Sequence, residues 1–306
     1  MNNLAWPKKT REFCNPLMNS SVWNDFKFHD DDVVIVTWGK SGTTWMQQIV
    51  AQLIFKGAEG VETHKLSPWV DSNLVPPEAL MALDQQTHRR VLKTHLPVDA
   101  LVVSQKAKYI YVGRDGRDAV WSLHNHFFNM LAQTYDAFNA TPGWIGPPLV
   151  RPSASALDFF RLWSEECGVP LTPFWDNVRG WWNIRHLPNV KIVHFNDLKA
   201  DLVGEMRGIA KFLDISLEPV DFERTVSHCN FDYMKAHAEL VAPRGGVPFD
   251  GGGKTFINKG TNGRWRDQLP ADESLAFEAC AKTELGNDCM DWLAHGTKVK
   301  ISPRVV

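Results

Sequence analysis

Four short segments place cationic, hydroxyl and imidazole groups where they could handle anions. The run Trp38-Gly39-Lys40-Ser41-Gly42-Thr43-Thr44-Trp45 combines one lysine, three hydroxyl side chains and two glycines. Glycine lets the backbone approach a ligand closely, the hydroxyls donate hydrogen bonds, and Lys40 supplies a full charge, which suits a phosphate-like group. In Leu92-Lys93-Thr94-His95-Leu96-Pro97 a lysine and a histidine stand two residues apart, on one side of the chain if it is extended. A histidine with an ordinary pKa of about 6.5 can take a proton from a hydroxyl at neutral pH. Arg114 and Ser122, eight residues apart, could hold a second anion through a guanidinium and a hydroxyl. Asn258 to Trp265 adds Lys259 and two glycines, Gly260 and Gly263, in a flexible run. Taken singly, each segment also fits a plainer reading: a turn with a solvated lysine, a packing histidine, an Arg114, Asp115, Arg117 and Asp118 surface network, a simple loop.

These groups need rigid elements behind them. Asp30, Asp31 and Asp32 precede Val33-Val34-Ile35-Val36, a continuous β-branched run of the kind buried on both faces of a sheet. Met46, Ile49, Val50, Leu53 and Ile54 then repeat at helical spacing, so Thr37 to Gly42 is a loop between a strand and a helix. Unpaired amides at a helix start point at a ligand bound there. Tyr109 to Val112 predicts a second strand, followed by a helix with Ala119, Leu123, Phe127 and Met130 on one face. Val190 to Phe195 predicts a third, leading to a helix striped by Leu202, Met206, Ile209, Ala210 and Leu213. Such alternation predicts an α/β fold over residues 1–306, one domain with a central parallel sheet flanked by helices and a P-loop-like first loop. The turn-rich stretches Thr141 to Ser153 and Ala242 to Gly263, with Trp144, Phe249 and Phe256, read as long loops serving as lids. Gly296 to Val306 reads as a loose tail.

Composition narrows the function. With 306 residues, 44% hydrophobic and 22% charged, the chain can bury a core without disulfides or a structural metal. Lys+Arg 33 against Asp+Glu 35 leaves a net charge of -2, which argues against a nucleic-acid partner, whereas a small anion needs only a local cluster. No run reaches the roughly 18 apolar residues of a membrane span, and the start lacks a signal-peptide stretch. Cys14, Cys167, Cys229, Cys280 and Cys289 are never spaced as CxxC, so reduced thiols and a cytoplasmic location are expected. A Walker A loop, GxxxxGK[ST], would need a glycine at position 34, which is Val34. No acidic pair stands out as magnesium ligands either, which counts against a nucleotide kinase. A non-catalytic nucleotide-binding protein, using Lys40 and Arg114 but not His95, stays open.

In this order and combination, KSGTTW, KTHLP, the Arg114-to-Ser122 spacing and the late KGxxG resemble the PAPS-dependent sulfotransferases, above all the soluble cytosolic branch, from Asp32 to Trp265. The resemblance implies transfer of a sulfuryl group from 3′-phosphoadenosine 5′-phosphosulfate (PAPS) to a hydroxyl, or as the lesser alternative an amine. The product is adenosine 3′,5′-bisphosphate (PAP), and no metal takes part. Position by position, it implies that Lys40, Ser41, Gly42, Thr43 and Thr44 hold the phosphosulfate and that Trp45 and Phe231 flank the adenine. Arg114, Ser122, Lys259 and Gly260 would hold the 3′-phosphate, and His95, Lys40 and Lys93 would be the catalytic set, His95 as base. For the acceptor, aromatic residues such as Phe127, Phe128, Tyr135, Trp144 and Phe249 suit a small lipophilic alcohol, phenol or glycolipid.

Several positions depart from that family's pattern. Gly39 replaces a proline, which would loosen the loop, and Asn258 replaces an arginine, with Arg264 or Arg266 placed to compensate. Phe195 stands for a tyrosine and Cys229 for a threonine. The KxxxTVxxxE signature is missing after Arg266, so dimerisation through that segment is unsupported and the oligomeric state is open.

Overall fold

In the computed structural model, which describes residues 6–166 and 168–297, four short strands pair side by side, all parallel. β1 (Val33–Thr37), β2 (Val91–Thr94), β3 (Lys108–Gly113) and β4 (Val190–His194) lie in the order β2-β1-β3-β4. Strand alternation explains why the β1 run is apolar throughout. Val33 and Ile35 pack with Met46, Ile49 and Leu53 of helix α1 (Thr43–Ile54) on one face. Val34 and Val36 join the other face with Ala119, Val120 and Leu123 of the Gly116–Phe128 helix. The chain therefore reverses its lateral direction beside β1, and a crevice opens outside the carboxyl ends of the strands at such a reversal. Lys40 follows β1, His95 follows β2 and Arg114 follows β3, so the sheet gathers three of the four chemistry-bearing segments along one edge. No helix among the described residues is long and apolar enough to cross a membrane.

The expected elements appear with three differences. β4 stops at His194, and Phe195 opens a helix, Phe195–Ala200, because the His194 imidazole accepts the Asn196 amide (3.1 Å) as a cap. Its other nitrogen donates to the Leu293 carbonyl (2.9 Å). β2 adds a fourth strand to the three that periodicity predicts. Within the 242–263 stretch lie a 3₁₀ turn, Pro243–Gly246, and a short helix, Gly252–Phe256, whereas 141–153 holds no regular element. Of the predicted tail, Thr297 is tied to the Asp197 carboxylate through its amide (3.0 Å) and hydroxyl (2.6 Å), and residues 298–306 lie outside the described residues, as does Cys167. Cys14, Cys229 and Cys289 are free thiols.

One ion pair locks the opposite edge of the sheet. Arg90, entering β2, donates to both oxygens of Asp32, entering β1, at 2.8 and 2.6 Å, with side chains only 3% and 1% exposed. The Val33 amide reaches the Arg90 carbonyl at 3.0 Å in the same corner. Removing one partner of a buried pair strands the other charge. Asp32→Ala is therefore expected to lower stability by about 3–5 kcal/mol, measured as a lower urea midpoint at unchanged m-value. A loss below about 1 kcal/mol, the worth of an exposed pair, would mean that Asp84 and the Lys27 carbonyl, which Arg90 also contacts at 2.7 and 2.9 Å, satisfy the guanidinium without Asp32.

Candidate active site

At the carboxyl edge of the sheet lies a cavity of about 840 Å³, within the roughly 300–1,000 Å³ of small-molecule sites. Its wall takes in Lys40, Gly42, Thr43, Thr44, Trp45, Lys93, His95, Arg114, Ser122, Phe231, Lys259 and Gly260. Ser41 alone of the residues predicted for donor binding and catalysis is absent from the wall: it is buried, and its amide closes the turn on the Trp38 carbonyl at 3.3 Å. The turn is sharp, with φ of +63° at Lys40 and +112° at Gly42. A side chain at 42 would sit 2.9 Å from the Phe195 ring, so glycine is required there. Lys40 carries the left-handed backbone as strain, about 1–3 kcal/mol for a non-glycine residue, and its carbonyl is held by an Arg114 N–H at 2.9 Å. Leu171 fills the space beside Gly39 that a ring would take, and Trp38 Nε1 donates to the Thr172 carbonyl at 2.8 Å.

The Arg114 guanidinium lies 4.3 Å from the centre of the Phe195 ring and donates to the Asn262 side-chain oxygen (3.0 and 2.6 Å) and the Thr261 carbonyl (3.2 Å). The late loop is fastened from its other side by Lys199 on the Gly260 carbonyl (2.8 Å) and Lys235 on the Asn258 carbonyl (2.6 Å). Gly260, at φ +61°, comes so near Phe231 that a Cβ would stand 2.6 Å from its ring. Arg264 reaches the wall, while Arg266 turns to the Trp265 ring (5.2 Å). Trp45 Nε1 donates to the Cys229 carbonyl (2.7 Å), and its ring meets Phe195 edge-on at 5.4 Å. Residues 242–263 supply much of the wall, and 141–153 supply none of it. Phe127 and Phe249 line the cavity; Phe128 stacks on His124, Tyr135 donates to the Phe127 carbonyl and Trp144 to that of Pro147 instead.

The parallel register sets Val36 beside Thr94, which puts His95 next to Thr37. His95 Nδ1 is 2.9 Å from the Thr37 carbonyl and 3.1 Å from its hydroxyl, which shares a 2.6 Å bond with Thr43. A carbonyl only accepts, so Nδ1 carries the proton and Nε2 keeps its lone pair. Trp69 meets the His95 ring edge-on at 4.8 Å, and the Lys93 ammonium lies 4.9 Å from the Trp69 ring centre. Buried Asp71 accepts the indole N–H of both Trp69 and Trp23, each at 3.2 Å. Trp69, Asp71, Asn262, Lys199 and His126 are not picked out by sequence reasoning. Only His126 carries a usable signal, standing one turn beyond Ser122 on the same helix face.

Electrostatically the cavity is a crowd of cations. Burial, then Lys93, Arg114 and Arg264, pushes the Lys40 ammonium down to about 7. Burial lowers Lys93 to about 8, against the pull of Asp71, and Arg114 to about 10. Burial, with Lys93 and Lys40 beside it, keeps His95 well below the ordinary imidazole value and hence neutral. A bound anion would relieve this repulsion, and a neutral imidazole with a free lone pair can accept a proton next to it.

The model of the sulfotransferase domain family matches residues 30–288. A glycolipid sulfotransferase of Mycobacterium tuberculosis is 29% identical over 97% of this chain and 98% of its own length. Sulfotransferase 1A1 of Rattus norvegicus is 28% identical over 88% of this chain and 87% of its own. Among solved structures, a mouse sulfotransferase complexed with PAP shares the fold at a TM-score of 0.69 and 19% identity, over 90% of this chain and 94% of that one. Retinol dehydratase in a complex with retinol and PAP also reaches 0.69, at 22% identity, over 92% and 86%. With the family model spanning far more than half of the chain, the protein belongs to the sulfotransferase domain family and is a sulfotransferase enzyme.

Proposed function

We propose that the protein, working as one cytoplasmic domain, transfers the sulfuryl group of PAPS to a hydroxyl of a small lipophilic acceptor, an alcohol, phenol or glycolipid. One observation carries this reading: Lys40, Lys93 and Arg114, all with lowered pKa values, share a single cavity with an oriented, neutral His95. The M. tuberculosis relative's name, glycolipid sulfotransferase, supports the acceptor class, and the PAP in two structural relatives supports the donor.

In the proposed reaction the acceptor oxygen attacks sulfur in line, the new O–S bond forms as the bond from sulfur to the 5′-phosphate oxygen breaks, and the acceptor proton passes to His95 Nε2. Transfer of this kind is governed by positioning and by stabilising charge on the leaving group. Lys40, with the Thr43 and Thr44 hydroxyls, faces the leaving phosphate, and Lys93 faces the transferring group. Arg114, Ser122 and Lys259 take the 3′-phosphate, and Trp45 and Phe231 the base.

Three outcomes are expected. Calorimetry should show PAP bound far more tightly than ATP or 5′-AMP, and Arg114→Ala should erode that preference, weakening PAP more than 5′-AMP; equal losses for both would remove Arg114 from the 3′-phosphate. His95→Ala should cut kcat by about a hundred- to ten-thousandfold, the usual worth of a positioned base, at near-normal PAP affinity, and unchanged turnover would discard His95 as base. Because Lys40 falls to about 7 and Lys93 to about 8 before an anion arrives, both lose charge as pH rises through 7 to 8 in the empty site. An arriving anion raises both pKa values, so PAP binding should take up protons in that window and weaken as pH rises. Titrations in buffers of different ionisation heat measure the uptake, and its absence would mean that the lysines stay charged without ligand.

A further inference from the structure

The Gly116–Phe128 helix brings a second imidazole to the cavity, and neither donor binding nor the proposed proton transfer uses it. His126 lines the wall, with its ring among Phe127 (5.3 Å), Phe249 (4.9 Å) and Phe256 (5.8 Å). The Lys40 ammonium lies 3.9 Å from the centre of that same Phe256 ring, so His126 borders the transfer centre on its aromatic side. Burial, with Lys40, Lys93 and His95 near, keeps this imidazole neutral. Its Nδ1 is shut away from solvent without a hydrogen-bond partner, and among the described residues no side chain or carbonyl engages Nε2. His95 differs on this point, because the Thr37 carbonyl orients it. A base must be oriented, whereas an uncommitted neutral imidazole is a hydrogen-bonding group awaiting a ligand.

The wall shows the same feature elsewhere. Ser67 Oγ and Gln86 Oε1, from two other wall residues, are also buried without partners. Buried polar atoms in proteins are nearly always paired, so an imidazole in the cavity wall with neither ring nitrogen engaged points to a polar group on what enters. Resting on the sulfotransferase reading above, we infer that His126 hydrogen-bonds the acceptor, and that the acceptor is an amphiphile with at least two hydroxyl groups, such as a sugar on an apolar chain. One hydroxyl meets His95 and receives the sulfuryl group, a second is held by His126, and the apolar part lies against Phe127 and Phe249. A plain alkanol or monophenol brings one hydroxyl, which goes to His95, and leaves His126 unpaired among aromatic rings.

Octyl β-D-glucoside and 1-octanol share an apolar tail and differ in their hydroxyls, so calorimetric titration of each into the PAP-loaded protein, below the micelle-forming concentration, separates the two cases. Wild type should bind the glucoside about tenfold more tightly or better, and His126→Phe should lose about tenfold on the glucoside alone, the effect of one hydrogen bond. Affinity for octanol and for PAP should stay put, and His126→Gln, which keeps a polar head, should recover much of the loss. Octanol bound as tightly as the glucoside by wild type, equal weakening of both by His126→Phe, or no glucoside binding would overturn the inference. If His126→Phe no longer binds PAP it is misfolded, and the wild-type preference together with His126→Leu decides instead. A wild type that ignores PAP overturns the donor reading, while the glucoside and octanol arms, run without PAP, still decide the role of His126.

Discussion

The site depends on one guanidinium. Arg114 leaves the end of β3 and donates to the Lys40 carbonyl, the Thr261 carbonyl and the Asn262 side chain, so three loops from distant parts of the chain form one surface. Without that tie, Lys40 would have little reason to keep its left-handed backbone, and the late loop would lose its hold on the sheet edge. Asp118 contributes from the next helix by accepting the Gly263 amide at 2.6 Å, and its charge partly offsets that of Arg114. The offset is incomplete. Lys40, Lys93, Arg114 and Arg264 face a largely common space and are each held below their ordinary pKa chiefly by burial. A cavity built in this way repels cations, gains from any doubly charged anion, and transmits the gain to the loops through Arg114.

The departures from the family's pattern make sense around this tie. Phe195, lacking a hydroxyl, offers its ring face to the Arg114 guanidinium and its edge to Trp45, so it carries the cation rather than a polar contact. At Cys229 the backbone does the work: its carbonyl fixes the Trp45 indole, and the thiol is buried with its pKa raised by burial. Gly39 leaves a space that Leu171 occupies. Asn258 contributes its carbonyl to Lys235, and Arg264 brings a cation to the wall from six residues on.

What could be read from the sequence follows from how far each signal reaches along the chain. β1 and β3 are legible because strands buried on both faces become nearly continuous apolar runs, the half-buried edge strand β4 because Val190, Ile192 and Val193 are β-branched and precede a helical stripe, and α1 because its own stripe has a helical period. β2 is not, since four residues with a lysine inside carry no period, and it is a strand only because β1 pairs with it. Lys40 and Arg114 are legible because they follow predicted strands, where position alone places them at the sheet edge, whereas His95 is legible only through its spacing from Lys93 and the KTHLP match. Their supports are not legible. Asn262 lies 148 positions from Arg114, Asp71 is 48 from Trp23, and no local spacing announces either contact.

The geometry of the proposed catalytic centre is thus a property of strand register more than of any motif. Because Val36 pairs with Thr94, the residue after β2 comes level with the last residue of β1, and the Thr37 carbonyl is there to accept from His95 Nδ1. That single hydrogen bond decides the tautomer and leaves Nε2 as the basic atom. The Thr37 hydroxyl continues the chain to Thr43 at the start of α1, so the imidazole is linked to the loop that would face the leaving phosphate in the proposed reaction. A slip of one residue between β1 and β2 would turn His95 to the other side of the sheet and break both connections at once. The apolar packing of Val33, Ile35 and Val91 on one face and of Val34, Val36 and Leu92 on the other opposes such a slip. The core therefore does more than stabilise the domain: by fixing a register, it sets which nitrogen of His95 keeps the lone pair that the proposed proton transfer needs.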